Sequence, residues 1–554
     1  MFLISNVLKN NEDFIFQKNK EQEKVEEQPN AKVLLCSNID QSCCESIVRD
    51  IVLKKNKEVN EIIDTNAYID LEIFKGLDKP SNSLFNTINK TKTLFGKNLL
   101  HISLNNPTSN IDVLKKKQKI IKHLLKNEEL FKKIQEKLDN ISKLQDTLLW
   151  TLKDKSVEEE RIFQTVYFNH EYLKPFNSNE DILRIYSLFK IVVAPMYGLL
   201  SPILFFIIPY LYLYFFTKIK FDFNVYFKII KMTFFGGFNM GGTGNPGISR
   251  YFSMILSFII YVQNLNNSIE VSKGTNNVIN ILHQKINDTN RISKELCELK
   301  ELTKDIFDFN DIKHHFPIID NDLFKTTPNL FSNKGKILVC YNKIQNKESY
   351  VDLINEIAII DYYNSLCLLM KENETICFPT YIENENPIIN TKQLYHPYLT
   401  KPITNDILIG RKNPNNILIT GPNAGGKSTF IKSLSLSVIF SQTLGIAFCK
   451  SMEITPFYLI NTYLNIPDCK GKESLFEAEM HRARNHIRKL KNLPKHQFSF
   501  IVMDEIFNST NPQEGISGAY AIAEKLSSFK NSISVITTHF TYLTNLENDS
   551  KFKN

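Results

Sequence analysis

The chain has 554 residues, 43% of them hydrophobic, with nine cysteines and 67 basic against 59 acidic side chains, a formal net charge of +8. Such a length exceeds one hydrophobic core and predicts roughly three to four domains, and a charge this mild neither demands nor rules out nucleic acid or anionic lipid as a partner. The cysteines are scattered, without paired Cys-x-x-Cys units, which excludes a disulfide scaffold and a zinc ribbon and fits a reducing, intracellular compartment; the first residues, Met1 to Lys9, lack the regions of a signal peptide.

Residues 1–60 form a variable segment, and Gln17 to Gln28 is charged without apolar periodicity, as in a solvated helix or linker. From 61 to 190 apolar residues recur at helical spacing, for example Ile120, Ile121, Leu124, Ile134 and Leu138, which predicts a helical core domain. Lysines crowd its surface at Lys115, Lys116, Lys117, Lys119, Lys122, Lys126, Lys132 and Lys133; a solvated helix face is the expected reading, ahead of phosphate contacts.

Residues 191–269 differ in kind. Ile191 to Phe216 carries no charge between Lys190 and Lys218, and at 1.5 Å per residue a helix of that length reaches roughly 39 Å, more than the roughly 30 Å of bilayer hydrocarbon. Pro195, Pro202 and Pro209 recur every seventh residue, which a membrane helix tolerates. Residues 217–235 mix phenylalanines with Lys218, Lys220, Lys228 and Lys231, a headgroup composition. A glycine-rich turn at Gly236 to Gly247 reads as a hinge, and Tyr251 to Ile269 is again uncharged. An even number of crossings would return the chain to its starting side, so a membrane hairpin is expected; the competing reading is an apolar helical pair buried against a partner. Residues 270–375 resume the helical core, with Leu296, Leu299, Leu302 and Ile306 in register.

From 376 to 554 short apolar strands alternate with helices, the pattern of an α/β sheet. Asn416 to Thr420 predicts a strand that ends in Gly421-Pro422-Asn423-Ala424-Gly425-Gly426-Lys427-Ser428-Thr429 and opens a helix. That is a phosphate-binding loop: backbone N–H groups converge on phosphate oxygens, Lys427 reaches the β/γ-phosphates and the Ser428 hydroxyl completes the shell of a Mg²⁺ ion. The ligands expected from the loop are therefore a nucleoside triphosphate and Mg²⁺; that the nucleotide is ATP and the chain an ATPase is what the family resemblance below implies. Phe498 to Asp504-Glu505 predicts a strand delivering two carboxylates at its C-terminal end, where such sheets bind ligands. Asp504 would hold Mg²⁺ through water and Glu505 would align or deprotonate the attacking water. Ser534 to His539 is another buried strand; a lone terminal histidine is more often structural.

These motifs resemble the MutS family of DNA mismatch repair ATPases, of the ABC class. The loop is similar to the family's T-G-P-N-M-G-G-K-S-T, differing at Ala424, and Asp504-Glu-Ile-Phe-Asn-Ser-Thr510-Asn-Pro-Gln-Glu514-Gly515 resembles its D-E-I-G-R-G-T-S-T-x-D-G. Thr538-His539-Phe-Thr-Tyr-Leu543-Thr544 resembles T-H-Y-x-x-L-T, which implies that His539 senses the γ-phosphate. Glu473-Ser474-Leu-Phe-Glu-Ala-Glu479-Met480 is similar to S-T-F-M-x-E-M, whose serine reaches the opposite subunit's nucleotide; Ser474 thus implies a dimer, of like or paralogous chains, with two composite sites. His396-Pro397 and Asn405-Asp406-Ile407 resemble elements near the adenine, although Pro402 replaces the usual stacking aromatic. Upstream, Thr91-Lys-Thr93-Leu-Phe-Gly96-Lys-Asn-Leu99-Leu100, Asn106-Pro107 and Lys117-Gln118 resemble the T-x-T-x-x-G-x-x-L-L…P…R-Q pattern that opens the family's core domain, with Lys117 in place of Arg.

The resemblance implies a multidomain α and α/β fold: a helical core interrupted by an apolar helical hairpin where the family has its DNA clamp, then an ABC-type P-loop ATPase domain. It implies an ATP-switched DNA-repair dimer that binds DNA. The family's mismatch wedge, Phe-x-Glu, does not occur in these residues, and the first 60 are too few for that domain. The alternative is a membrane-anchored mechanical ATPase without mismatch reading, held through 191–269 with its core and ATPase domains on the cytosolic side. A soluble factor acting on DNA junctions is a third reading.

Overall fold

The computed structural model describes residues 45–50, 61–76, 79, 81–216, 222–235, 246–307, 328, 332–345, 348–422, 424–464, 475–548 and 552–554. The charged stretch at Gln17 to Gln28, Asn423 and Ser474 lie outside them. So do residues 236–245 of the expected hinge, whose Pro246 and Gly247 instead begin a helix. In chain order the helices used below are α1 (Thr65–Asp70), α2 (Leu84–Ile88), α3 (Leu94–Asn105), α4 (Ile111–Lys126), α5 (Glu128–Leu152), α6 (Val157–Phe163), α7 (Glu180–Leu188), α8 (Ala194–Phe216), α9 (Phe223–Phe235), α10 (Pro246–Thr303), α11 (Lys334–Ile344) and α12 (Glu348–Glu372). There follow β1 (Thr380–Tyr381), β2 (Ile389–Leu394), β3 (Asn405–Ile409), β4 (Asn416–Thr420), α13 (Lys427–Thr443), β5 (Ser451–Ile454), β6 (Leu459–Tyr463), α14 (Leu475–Asn492), β7 (Ser499–Asp504), α15 (Pro512–Ser527) and β8 (Ser532–Thr538).

The chain forms two compact units. One comprises Gln41–Gln145, Ile292–Pro317 and Glu348–Asn554; the other contains Asp146–Arg291 and Ile318–Lys347. Composition alone divides the helical region at 190 and 270. The compact units divide it elsewhere, inside α5 and α10.

In the larger unit α3 lies along α12 and buries Phe95, Leu99, Leu100, Ile102 and Leu104, while α12 buries Leu353, Ile354, Ile357 and Ile360. The Thr-x-Thr-x-x-Gly spacing has a physical reason here. Thr93 caps α3, its hydroxyl accepting from Gly96 N at 3.1 Å. The same hydroxyl donates to the buried Asp361 of α12 at 2.8 Å, and Thr93 N and Lys92 N also donate to that carboxylate. Burial lifts the Asp361 carboxyl to about 6 against the pull of these donors. Gly96 lets Asp361 in: a Cβ there would lie 2.3 Å from its Oδ2. Asn110 caps α4, with Asp112 in its first turn and His123 and Lys126 in its last, matching the helix dipole. Lys115, Lys116, Lys119 and Lys122 are exposed, as a solvated face requires, but Lys117 turns inward.

Four parallel strands in the order β4-β8-β7-β6 form the main sheet of this unit. They are short apolar runs buried on both faces, between α13 and α15, as parallel strands require. Both outer strands are paired further: Leu418 N donates to Lys553 O at 2.9 Å, and Ile460 N to Ile62 O at 2.6 Å. A second sheet, β1-β5-β2-β3, has antiparallel pairs except for β1 with β5.

In the smaller unit a capping box, Ser156 with Glu159, starts α6, and Trp150, Phe163 and Tyr341 form an aromatic cluster. The α11 helix crosses α7 so closely that a Cβ on Gly335 would meet Glu180 O at 1.9 Å. After a π-turn at Phe189–Val193, α8 continues with Pro202 and Pro209 inside it and no buried residue. It pairs antiparallel with α10: Tyr261 Oη donates to Leu199 O at 3.0 Å and Ser272 Oγ to Ile191 O at 2.7 Å. The 13-residue α9 folds back on α8 through Tyr226 Oη to Phe206 O, 3.0 Å. Large apolar side chains face outward here, Phe205 64% exposed, Phe216 78% and Phe258 64%. By contrast α12, long and apolar enough to pass for a span by composition, is mostly buried.

Candidate active site

Because β4, β8 and β7 are adjacent and parallel, the turns at their C-terminal ends gather at one edge of the sheet. After β4 comes the glycine-rich turn. Gly426, at φ 86°, is the N-cap of α13, and no side chain caps that helix, so its leading N–H groups face an open rim formed by the exposed Gly425, Gly426, Ser428 and Thr429. Ala424 also holds a left-handed φ of 62°, a conformation that L-residues rarely adopt.

Lys427 is 8% exposed and bends back over the turn: its Nζ donates to Gly421 O at 2.8 Å and Pro422 O at 3.1 Å and stands 3.4 Å from Glu505 Oε1. The structure thus brings together the lysine after β4 and a carboxylate after β7. The other oxygen of Glu505 accepts from Asn508 Nδ2 at 2.8 Å, so both are held. Thr537 of β8, which sequence reasoning passes over, orients the acid pair. Its hydroxyl donates to Asp504 Oδ1, while Glu505 N donates to Thr537 O at 3.1 Å and to its hydroxyl at 3.2 Å. The turn after β7 is strained, with Glu505 at φ 45° and Phe507 at φ 62°, and the buried Phe507 pins it to the core. His539 follows β8, exposed, its ring 4.4 Å from that of Phe540.

Two further links run to α14. Ser509 Oγ donates to Glu479 Oε2 at 2.6 Å, tying this helix to the turn that carries Glu505; burial raises the Glu479 carboxyl despite that donor. Asp70, 2% exposed at the end of α1, accepts from Thr462 Oγ1 at 2.6 Å, Leu464 N at 3.0 Å and the Arg482 guanidinium of α14. Arg482 also donates to Thr462 O at 2.9 Å and Leu464 O at 3.2 Å. The second link joins residues 412 positions apart in sequence, Asp70 and Arg482, which no local pattern reveals.

His396 stacks with Tyr398, ring centroids 5.5 Å apart, and burial, with Lys432 nearby, lowers its imidazole to about 4, so it is neutral. Asn405 is exposed at the start of β3, and its neighbour Asp406 is engaged by Lys392 Nζ at 2.9 Å and Gln393 N at 2.8 Å. Among the described residues no cluster of three or more His, Cys, Asp or Glu could hold a metal by itself.

Compared with known proteins, residues 66–186 match the family described as MutS domain III and residues 417–554 that described as MutS domain V. The DNA mismatch repair protein MutS of Finegoldia magna is 27% identical over 524 residues, 88% of this chain and 56% of that protein. The DNA mismatch repair protein MutS of Thermotoga neapolitana is 32% identical over 212 residues, 38% of this chain and 26% of its own length. The DNA mismatch repair protein MSH3 of Debaryomyces hansenii is 32% identical over 220 residues, 38% of this chain and 20% of its own. The chain therefore spans about half the length of the first of these relatives and a smaller share of the others. With a MutS domain III followed by a MutS domain V, the chain belongs to the MutS family.

Proposed function

We propose that the chain is a Mg²⁺-dependent ATPase of DNA-repair type, switched by nucleotide as a dimer. The observation that carries this reading is the Lys427–Glu505 contact, 3.4 Å, beside an uncapped helix N-terminus at the C-terminal edge of a parallel sheet. The residues fit the substrate. Lys427 rests on two carbonyls and a carboxylate, oxygen ligands that phosphate oxygens can replace, and the leading N–H groups of α13, with Gly421, Pro422, Ala424, Gly425, Gly426 and Thr429 around them, suit an anion. They also fit the metal: Asp504 keeps one carboxylate oxygen clear of its Thr537 bond and Ser428 presents an exposed hydroxyl. Mg²⁺, when bound, would neutralise charge on the transferred phosphoryl group. Glu505, oriented by Asn508 and Lys427, would accept the proton of the attacking water, with His539 at the γ-phosphate and Ser474 of the second copy completing the site. Asn405 would contact the nucleoside. DNA enters as partner from the relatives, named DNA mismatch repair proteins.

The Glu505→Gln chain tests this. It should bind Mg·ATP, lose turnover and accumulate as a closed dimer; hydrolysis at the wild-type rate would refute the role given to Glu505.

One observation favours a second reading, a membrane-anchored ATPase of the same engine. In the α8–α10 pair Leu199 lies level with Tyr261 and Ile191 with Ser272, so the uncharged stretches 191–216 and 251–269 overlap over about 19 residues, roughly 28 Å, close to the hydrocarbon thickness. Charged residues bracket that slab in sequence, Lys190 and Glu270 at one end, Lys218 and Arg250 at the other. Many of the large apolar side chains between them are exposed, among them Phe205, Ile208, Phe258 and Ile259, while the polar Gln263, Asn264, Asn266 and Asn267 fall toward the Lys190–Glu270 end. At about 20 Å, α9 is too short to cross and, with Lys228 and Lys231, suits a headgroup layer. Domains III and V would then sit on the cytosolic side. Retention of the chain in carbonate-washed membranes is expected on this reading, and release into the soluble fraction would exclude it.

A further inference from the structure

The α13 helix is a rod about 25 Å long whose first turn carries the nucleotide loop and whose last turn is plugged into the surrounding fold. A helix ends with carbonyls that have no partner of its own. Here the carbonyls of the last turn are met from outside. Ser441 O accepts from Tyr381 Oη at 2.5 Å, Gln442 O from Thr108 N at 2.9 Å and Thr443 O from Lys117 Nζ at 2.6 Å, and just past the helix end Gly445 O accepts from Gln118 Nε2 at 3.2 Å, an amide that also donates to Pro379 O at 2.8 Å. Three of these donors belong to the α3–α4 connection and α4, that is, to domain III; the carbonyls of residues 441–445 belong to domain V. Residues 433–443 of α13 are all buried, so the rod is encased along the half that meets these donors, while its loop end is exposed.

We propose that Lys117 is a positioning residue for the nucleotide loop: seated on the far end of α13, it fixes that helix along its own axis and so sets where Gly425, Gly426 and Ser428 stand relative to Glu505. Of the four donors it alone brings a positive charge, which complements the negative end of the helix dipole. Its stem is partly exposed but its ammonium is enclosed, and burial pulls the amine down to about 8. A buried ammonium is tolerated only where its hydrogen bond is kept, so a slide of α13 that withdrew Thr443 O would leave it stranded. Sliding would also strain the bonds of Gln442, whose side chain holds Phe457 N and O, both at 2.8 Å. A bond between α4 and α13 works both ways: a shift of α4 moves the loop, and an anion that pulls on the loop loads α4.

The inference rests on the nucleotide reading given above, and the test separates the two. Equilibrium binding of a fluorescent ATP analogue with Mg²⁺ is measured on the full chain, on Lys117→Met and on Lys117→Arg, beside thermal melting without nucleotide and hydrogen exchange of the peptide covering 421–432. Lys117→Met should weaken binding on the order of tenfold and speed exchange in the loop, some 25 Å from the substitution. Lys117→Arg, which restores a charged donor, should return affinity to within about twofold. A folded Lys117→Met chain with wild-type affinity and loop exchange overturns the proposal, even if its melting point falls. Should that variant not fold, Gln118→Ala, which deletes the neutral bond to Gly445 O together with that to Pro379 O, is expected to weaken binding about threefold, and wild-type affinity there overturns the proposal equally. A wild-type chain that binds no analogue overturns the nucleotide reading itself, and the role of Lys117 with it.

Discussion

Removing the Arg482 guanidinium would strip one partner from a carboxylate that has almost no access to water. Asp70 is 2% exposed, and its donors are Thr462 Oγ1, Leu464 N and Arg482. Breaking a buried ion pair from one side costs about 3–5 kcal/mol. In Arg482→Ala the two neutral donors remain, which places the loss at the lower end, about 3 kcal/mol, or a fall of about 6 °C in the melting midpoint of a unit this large. Burial raises the Asp70 carboxyl above its usual range, and Arg482 works against that rise. Without Arg482 the pKa climbs further, the folded chain takes up a proton more readily than the unfolded one, and lower pH relieves the unpaired charge. The stability gap between wild type and Arg482→Ala should therefore narrow as pH falls from 7 toward 5. Urea denaturation of wild type, Arg482→Ala, Asp70→Asn and the double variant at both pH values measures it. Losses that add to within about 0.5 kcal/mol, or a gap indifferent to pH, would refute the assignment of this pair as coupled and buried.

Gly96→Ala would push a methyl group to 2.3 Å from the Asp361 carboxylate, which is fully buried and held by three donor groups, so the chain should lose about 3 kcal/mol or more of stability; a melting point within 2 °C or so of wild type would argue against the packing of α3 on α12. Gly335→Ala meets backbone in the other unit, Glu180 O at 1.9 Å, and should be at least as damaging, with limited proteolysis opening first around α7 and α11.

Much of the fold could be read from the chain because its signals are local. The run Asn416 to Thr420 is β4, Phe498 to Asp504 contains β7, and Ser534 to Thr538 lies within β8, each a short apolar stretch of the kind that parallel strands need. The Gly-rich turn and Asp504-Glu505 are readable for the same reason, and parallel pairing with β8 between them brings Lys427 to Glu505. Residues whose roles depend on distant partners were not legible. Thr537 looks like one more polar residue in a buried strand until Asp504 and Glu505 are placed beside it. By composition Lys117 reads as one of a run of exposed lysines, although it follows Leu114 by three and precedes Ile121 by four, and so lies on the apolar face of α4. That spacing is the signal the sequence carries for its inward turn. The apolar stretch from 191 was readable as helix, whereas the register that aligns α8 with α10 required Tyr261 and Ser272 to be seen on their carbonyls.

The most direct test of the central claim, that the loop after β4 and the carboxylates after β7 form one nucleotide site, is equilibrium binding of Mg·ATP to the full chain and to Lys427→Ala. Saturable binding of one nucleotide per chain, lost in Lys427→Ala while that variant melts like wild type, is the result predicted. Wild-type binding that does not saturate, or equal affinity in the folded Lys427→Ala chain, would contradict it.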